Sequence, residues 1–225
     1  LVSVVMWYIV DYMYVKAAVY YEPRGFDISH CYLIQMGRLT DKSPDFIPNQ
    51  TKEQQREDVK GLAERLKYRP DIEAVGFGQN SYPYNGSNSG TEVRYDTLQS
   101  PGWTIRRLVS PDFVRVFQYH GTRGETPEQL AELLSHPKNF LASDNLYKKR
   151  YGRDLTPLVG KQFYLFGDTT ETYTLGASLE VVRYSDYEQA WNSYSMVKLL
   201  PENWYDVGLE LCVRVKEDQD KDFIT

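Results

Sequence analysis

The chain has 225 residues, of which 41% are hydrophobic and 25% are charged. This composition excludes an intrinsically disordered protein, and the length allows one large domain or two small ones. The net charge of −5 and the sequence pI of about 5.3 argue against a nucleic-acid partner, because binding to phosphates requires clustered Lys and Arg.

The first segment, residues 1–21, is apolar and aromatic on every side of a helix. A bilayer span needs about 20 apolar residues, and Asp11 and Lys16 interrupt this run. We therefore interpret the segment as the outer end of a transmembrane or stalk helix. The alternatives are a buried core helix and, with less support, a signal peptide. Because the sequence begins with Leu1 and not with Met, we expect a fragment of a longer protein.

The segment after the first helix has the order strand, helix, strand. Residues 31–36 are predicted to form a strand, and Thr51 and Gln54 have the spacing of a capping box at the start of a helix. Residues 72–77 form the second strand. This order is typical of half of a ferredoxin-like layer.

The middle of the chain is predicted to be rich in strands, with short helices between them, and the whole chain is predicted to be α+β. A cap at Ser185 with Glu188 predicts one more helix, and the charged residues 216–222 are expected to be solvated. The predicted strands are 91–95, 103–109, 162–166, 173–182 (interrupted by Gly176) and 209–215, and the predicted helical segments are a turn at 111–117, a helix capped by Thr126, and a helix from a Ser143 cap to Gly152.

The residue types that carry catalysis or bind metals occur without a recognisable pattern. We expect no partner for the three histidines, which are His30, His120 and His136. The alternating acids Asp218, Asp220 and Asp222 lack the Gly and the later Glu of a calcium loop. No zinc pattern and no phosphate loop is present in the sequence. We therefore expect no cofactor, no metal and no enzymatic activity.

Two further features concern the cysteines and one loop. Cys31 and Cys212 lie in strand-like runs, where small buried hydrophobic residues are expected more often than a disulfide. The loop 79–90 is too polar to be core, and its aromatic and amide side chains are typical of a surface that contacts a sugar or a peptide. A flexible exposed loop is the alternative. The candidate contact residues are Tyr82, Tyr84, Asn85 and Asn88.

Four short motifs occur in an order that resembles the periplasmic core domain of MacB-type ABC transporter permeases. The resemblance covers most of residues 22–225. In the second motif the chain departs from the family, because Val114 follows Phe113 and because Arg123 precedes Gly124. The motifs are Gly25-Phe26-Asp27, Val109-Ser110-Pro111-Asp112-Phe113, Ala142-Ser143-Asp144-Asn145-Leu146 with Val159-Gly160-Lys161, and Val213-Arg214-Val215-Lys216.

The resemblance implies an α+β domain in two parts. A porter-like part, with a ferredoxin-like βαβ layer, is formed by residues 27–89 and 183–225, and residues 90–182 form an inserted, β-rich, sabre-like part. The domain follows the transmembrane or stalk helix of residues 1–21. Cys31 and Cys212 then lie in strands of the same sheet.

The resemblance also implies a non-catalytic domain on the periplasmic side of the bacterial inner membrane. A further membrane helix is then expected close after Thr225. The permease is expected to be a homodimer or heterodimer that works with a cytoplasmic ABC ATPase. Its expected function is mechanotransmission, which couples ATP hydrolysis to the movement of substrates, or to signalling to a partner, outside the inner membrane. The alternative is a membrane-anchored module that binds a peptide, a lipoprotein or a glycan.

Overall fold

A computed structural model describes residues 2–85, 89–183, 185–186, 189–205 and 208–224. These residues form a mixed α+β fold with one large mixed sheet, which confirms the predicted class. The helices are α1 (Val2–Tyr21), α2 (Lys52–Lys67), α3 (Phe113–Val116), α4 (Pro127–Leu134), α5 (Lys148–Tyr151) and α6 (Asp220–Ile224). The strands are β1 (Cys31–Ile34), β2 (Ile72–Gln79), β3 (Ser89–Thr91), β4 (Val93–Tyr95), β5 (Leu98–Gln99), β6 (Thr104–Val109), β7 (Asn139–Ser143), β8 (Gln162–Leu165), β9 (Tyr173–Leu179), β10 (Ser195–Leu199) and β11 (Glu210–Val215).

The sheet brings both ends of the chain together. Its strand order is β1-β11-β2-β6-β10-β7-β9-β8-β4-β5, and β3 pairs with β6. The last strand, β11, lies antiparallel between β1 and β2, and the inner pairs β6–β10 and β7–β9 are parallel. The division into a porter-like part and a sabre-like part stays a prediction, since strands from both proposed parts belong to one continuous sheet.

Local capping signals predicted the two longest helices of the domain correctly. The Thr51 side chain accepts a hydrogen bond from the Gln54 backbone N–H, and the Gln54 side chain accepts one from the Thr51 N–H. Thr126 and Gln129 make the same pair of bonds at the start of α4. Each box satisfies backbone N–H groups that the first turn of a helix leaves without partners.

Several predicted elements are wrong at their boundaries. Residues 139–143 form a strand that was not predicted. The helical segment predicted from Ser143 to Gly152 is present, as a 3-10 turn at Asp144–Tyr147 followed by α5, with Ser143 at its N-cap position and Gly152 at its C-cap position. The Ser143 hydroxyl, however, accepts a bond from the Ser195 N–H and makes no bond to the first turn of that segment. The segment predicted as one strand at 91–95 divides into β3 and β4 at Glu92. The strand β9 continues through Gly176, contrary to the prediction. Gly176 is the extra residue of a β-bulge in the pairing of β9 with β7.

The helix predicted after Ser185 is also wrong for the residues that can be described. Ser185 and Asp186 are not helical, and Glu188 lies outside the described residues. A single 3-10 turn, Ala190–Asn192, precedes β10 in the described part of this segment. The strand β10 was not predicted from the sequence.

Apolar side chains fill both faces of the sheet. On one face α3 and α4 cover a cluster that includes Phe113, Leu130 and Val197. On the other face α2 covers the end of the sheet formed by β1, β11 and β2, with Val59 and Ala63 as its buried residues. A further cluster around Phe140 and Phe163 fills the remaining part of the core.

The charged end of the chain is tied to the first strand, which corrects two expectations. Asp220, in α6, accepts hydrogen bonds from the Tyr32 hydroxyl and from His30 Nδ1, both at 2.6 Å. These two bonds, first the one from Tyr32, lower the pKa of Asp220. His30 therefore has a partner, and residues 216–222 are not merely solvated. Among the described residues, no group of three His, Cys, Asp or Glu side chains could hold a metal ion.

Candidate functional site at the foot of the apolar helix

Helix α1 exposes its apolar side chains along its whole described length. Val19 is its only buried residue, while Trp7 and Tyr14 are 67% and 72% exposed. The alternative of a buried core helix is therefore wrong. By length and composition α1 could cross a membrane, since 20 residues at 1.5 Å each span about 30 Å.

The C-terminal end of α1, which we call the helix foot, is fixed to the domain through a buried arginine. Arg183, which is 1% exposed, donates from Nη1 to the backbone carbonyl of Glu22 at 3.0 Å, and its own N–H donates to the Arg24 carbonyl at 2.9 Å. The Glu22 carboxylate accepts a bond from the Ala190 N–H at 2.8 Å. We call the group of Glu22, Arg24, Gly25, Arg183 and Asp186 the foot junction.

Gly25 allows the chain to turn sharply inside the foot junction. Its φ of +73° lies in the left-handed region, and a Cβ added there would lie 2.1 Å from the carbonyl oxygen of Val181. Backbone atoms cannot move aside as the end of a long side chain can. Only glycine therefore fits this position without displacing the segment after β9 that precedes Arg183.

Two aromatic rings extend the foot junction to the predicted contact loop. The Phe26 ring packs against the core and meets the Tyr84 ring edge to face, with centroids 5.5 Å apart. The Tyr84 hydroxyl donates to Asp186 at 2.8 Å, and Asp186 also pairs with Arg24 at 3.2 Å. Burial, followed by the bond to Asp186, raises the pKa of Tyr84 to about 12. Tyr84 therefore stays a neutral donor at physiological pH.

The other predicted contact residues differ from Tyr84 in their surroundings. Asn85 is buried and donates to the Glu210 carboxylate at 2.9 Å, and that carboxylate also accepts the Tyr82 N–H at 3.2 Å. The expectation that the loop is too polar to be core is thus wrong for Ser81, Pro83 and Asn85, which are buried. Asn88 lies outside the described residues. The role of the loop in binding a ligand stays a prediction.

A second ion pair, between Asp27 and Arg214, lies next to the foot junction along the chain. Arg214, which is 5% exposed, donates from Nη2 to the Asp27 carboxylate at 3.1 Å and from Nε to the Val116 carbonyl at 2.7 Å. The Cys31 thiol contacts the same carbonyl at 3.1 Å. The motifs that contain Asp27 and Arg214, separated by 187 residues along the chain, therefore meet beside the short helix α3.

The third motif reaches the same region from the opposite side. The Asn145 side chain donates to the carbonyls of Ala190 and Ser193 at 3.1 and 3.0 Å. The Ala190 N–H in turn donates to the Glu22 carboxylate. Ala190 therefore connects the motif around Asn145 to the segment that follows α1. Residues of the first, third and fourth motifs thus make structural bonds near the end of α1. The second motif lies elsewhere, because its Ser110 hydroxyl accepts a bond from the Phe77 N–H and its Asp112 carboxylate accepts one from Arg115.

The two cysteines are in adjacent strands and are free thiols. Cys31 lies opposite Arg214, and Cys212 lies opposite Leu33 in the register of β1 and β11. Burial raises the pKa of Cys31 to about 11. The expectation that both behave as small buried hydrophobic residues is confirmed for Cys212, which is buried, while Cys31 is half-buried.

The chemistry of the foot junction is that of a mechanical attachment. Its guanidinium and carboxylate groups bond to one another and to backbone groups of the same chain. Glu22, Arg24 and Asp27 each connect the segment after α1 to a different strand or loop. These bonds fix the orientation of the segment through which α1 joins the domain.

Tyr84 provides a direct test of this attachment. Tyr84→Phe is expected to lower the free energy of unfolding by about 1 kcal/mol, because one hydrogen bond is lost, and Tyr84→Ala by about 2 kcal/mol, because ring contacts are lost as well. Urea denaturation measures both. The control Tyr68→Phe changes a side chain that is 85% exposed and should have no effect. Equal effects at the two tyrosines would show that Tyr84 is not attached.

Comparisons with known proteins find a structure of similar shape but no similar sequence. No family model matches the chain, and no curated protein matches it. One solved structure with a similar shape is the periplasmic region of MacB from Actinobacillus actinomycetemcomitans. The TM-score is 0.46 and the sequence identity is 9%, over 89% of this chain and 81% of that chain.

Proposed function

We propose that this chain is the periplasmic domain of a MacB-like ABC transporter permease, anchored in the bacterial inner membrane by α1. The observation that carries the proposal is an apolar helix that is exposed on all sides and fixed at its foot. Each large apolar side chain left in water forgoes about 2 kcal/mol relative to burial. A lipid bilayer around the helix supplies that burial.

In this proposal the foot junction transmits force. A cytoplasmic ABC ATPase moves the membrane helices of a homodimeric or heterodimeric permease, and α1 transfers the movement to the domain through Arg183 and Gly25. The domain then acts on a substrate or a partner in the periplasm and has no catalytic role of its own. The first, third and fourth motifs support this function, since Gly25, Asn145 and Arg214 belong to them and lie in or are connected to the segment after α1. The proposed domain has a porter-like part, residues 27–89 and 183–225, and a sabre-like part, residues 90–182.

The position of α1 can be tested with single cysteines in spheroplasts that make the full-length protein. In a background with Cys31→Ala and Cys212→Ala, we expect Ile9→Cys to react with a membrane-impermeant maleimide only after detergent is added. Tyr21→Cys should react without detergent, because it lies at the foot of the helix. Tyr68→Cys, on the exposed surface of the domain, is the control and should also react from outside.

Two outcomes contradict the proposal. Labelling of Ile9→Cys in intact spheroplasts would show that α1 is not in the bilayer, and protection of Tyr68→Cys until lysis would place the domain in the cytoplasm. The same full-length protein, purified in mild detergent, should carry an ABC ATPase with it. If the purified protein hydrolyses no ATP, the proposed coupling of this domain to an ABC ATPase is contradicted.

A further inference from the structure

A groove of about 860 Å³ lies on the domain between α2 on one side and α3 and α4 on the other. It is at the carboxyl ends of the parallel strands β6 and β10, and residues 110–112 and 199–205 contribute to its walls. In open sheets with parallel strands, ligands bind at such ends. None of the foot-junction residues lines it.

The floor of the groove is apolar. Phe77 and Leu200 belong to the cluster beneath α2, and Ala131 belongs to the cluster beneath α4. Tyr205 closes one end and meets the Phe77 ring edge to face at 5.2 Å. Phe77, Leu200 and Ala131 are 5%, 2% and 7% exposed. Two core clusters thus meet just beneath the groove, and an apolar side chain of a partner could pack against this floor.

The rim of the groove carries an excess of two negative charges, five carboxylates against three cations. Each cation is already paired with a carboxylate of the rim: Lys60 with Glu202 at 2.8 Å, Lys67 with Glu64 at 3.0 Å, and Arg115 with Asp112 at 3.1 Å. The two other acids of the rim are Glu128 and Glu132, both on α4, and Glu128 shares Arg115 with Asp112 at the longer distance of 3.7 Å.

Glu128 and Glu132 provide a negative surface on the α4 wall. They are four residues apart, so they lie on the same side of the helix. Glu128 is 3.7 Å from Arg115, and its carboxylate is 64% exposed. Hydrogen bonds from its own backbone N–H and from Thr126 lower the pKa of Glu128. The carboxylate is therefore ionised at neutral pH and available to a cation from outside.

We propose that this groove docks a basic segment of a partner protein. An apolar side chain of the segment enters the groove beside Tyr205, and Lys or Arg side chains reach Glu128 and Glu132. An acidic segment would meet like charge, and a neutral one would leave the negative excess of the rim without compensation. The groove is separate from α1, so this inference and the proposed membrane function can fail independently.

Binding of a labelled probe peptide tests the inference. The probe is a twelve-residue peptide of Leu and Lys, and the protein is the 225-residue chain in nanodiscs of zwitterionic lipid, with empty discs as the blank. Fluorescence anisotropy should show binding that weakens as salt is added. The double variant Glu128→Gln/Glu132→Gln should weaken binding about tenfold. The matched control Glu53→Gln/Glu57→Gln changes the net charge equally, on exposed positions of α2, and should bind like the parent.

Two further probes separate the apolar and the charged contributions. A Leu–Glu peptide of the same length should not bind, and a Ser–Lys peptide should bind at least tenfold more weakly because it lacks the apolar anchor. The inference is overturned if the two double variants weaken binding equally, if the α4 variant binds like the parent, or if the Leu–Glu peptide binds as well as the Leu–Lys peptide. Circular dichroism checks that each variant is folded.

Discussion

Gly25→Ala is expected to lower the free energy of unfolding by about 3 kcal/mol. One part of this loss comes from the left-handed backbone at φ +73°, which an L side chain adopts at a cost of about 1 kcal/mol. The larger part comes from the new Cβ, which would lie 2.1 Å from the Val181 carbonyl oxygen. Either the chain after α1 or the segment before Arg183 must move, and the bonds of the foot junction lengthen.

Gly124→Ala separates these two contributions. Gly124 also has a left-handed backbone, with φ +89°, but no atom lies within 4 Å of a Cβ built there. We expect a loss of about 1 kcal/mol at this position. Urea denaturation followed by tryptophan fluorescence measures both variants. Similar losses at Gly25 and Gly124 would mean that the close approach to Val181 is not real.

Arg214→Met is expected to lower the free energy of unfolding by about 3 kcal/mol. The variant keeps an apolar chain of similar length but removes the donors to Val116 and Asp27, which leaves their carbonyl groups with only the weak thiol donor of Cys31. Lys148→Met is the control, since it breaks an ion pair with Asp154 in which both side chains are exposed. That change should stay within about 0.5 kcal/mol. An equal effect at the two positions would contradict the buried role of Arg214.

The pH dependence of Arg214→Met gives a second readout. The pKa of Asp27 is lowered from 3.8, because hydrogen bonds from Ser29 and Arg214 and the charge of Arg214 outweigh the opposing effect of burial. A lowered pKa stabilises the fold above the unfolded value, and this stabilisation is lost as the pH falls through the folded value. The difference between parent and variant should therefore shrink below about pH 3.8. A constant difference in acid would show that Asp27 and Arg214 do not interact.

The sequence predicted those elements whose signals are local. Thr51 and Gln54 are three residues apart, and each makes its bond within one helical turn. The central strand β7 gave no such signal, because Phe140, Leu141 and Ala142 are all fully buried and do not alternate between core and solvent. A short apolar run of this kind cannot be distinguished from a buried helix by periodicity.

The foot junction was not predicted, since its residues are distant in sequence. Glu22 and Arg183 are 161 positions apart, and neither stands out among the charged residues of the chain. One signal was present at the second ion pair. Arg214 interrupts an apolar strand, and a charge in such a run requires a buried partner. The sequence contained no information on which of the 31 acidic residues supplies it.

The position of β11 has a consequence for how the protein is made. Among the described strands, β11 is the only neighbour of β1, and these two strands stand almost at opposite ends of the chain. During synthesis β1 therefore has no pairing partner until residues 210–215 have emerged, long after α1 has been made. Pairing over such a sequence distance slows folding and leaves strand edges open to other chains in the meantime. The newly made domain must thus remain incomplete, beside its helix, until residues 210–215 have been translated.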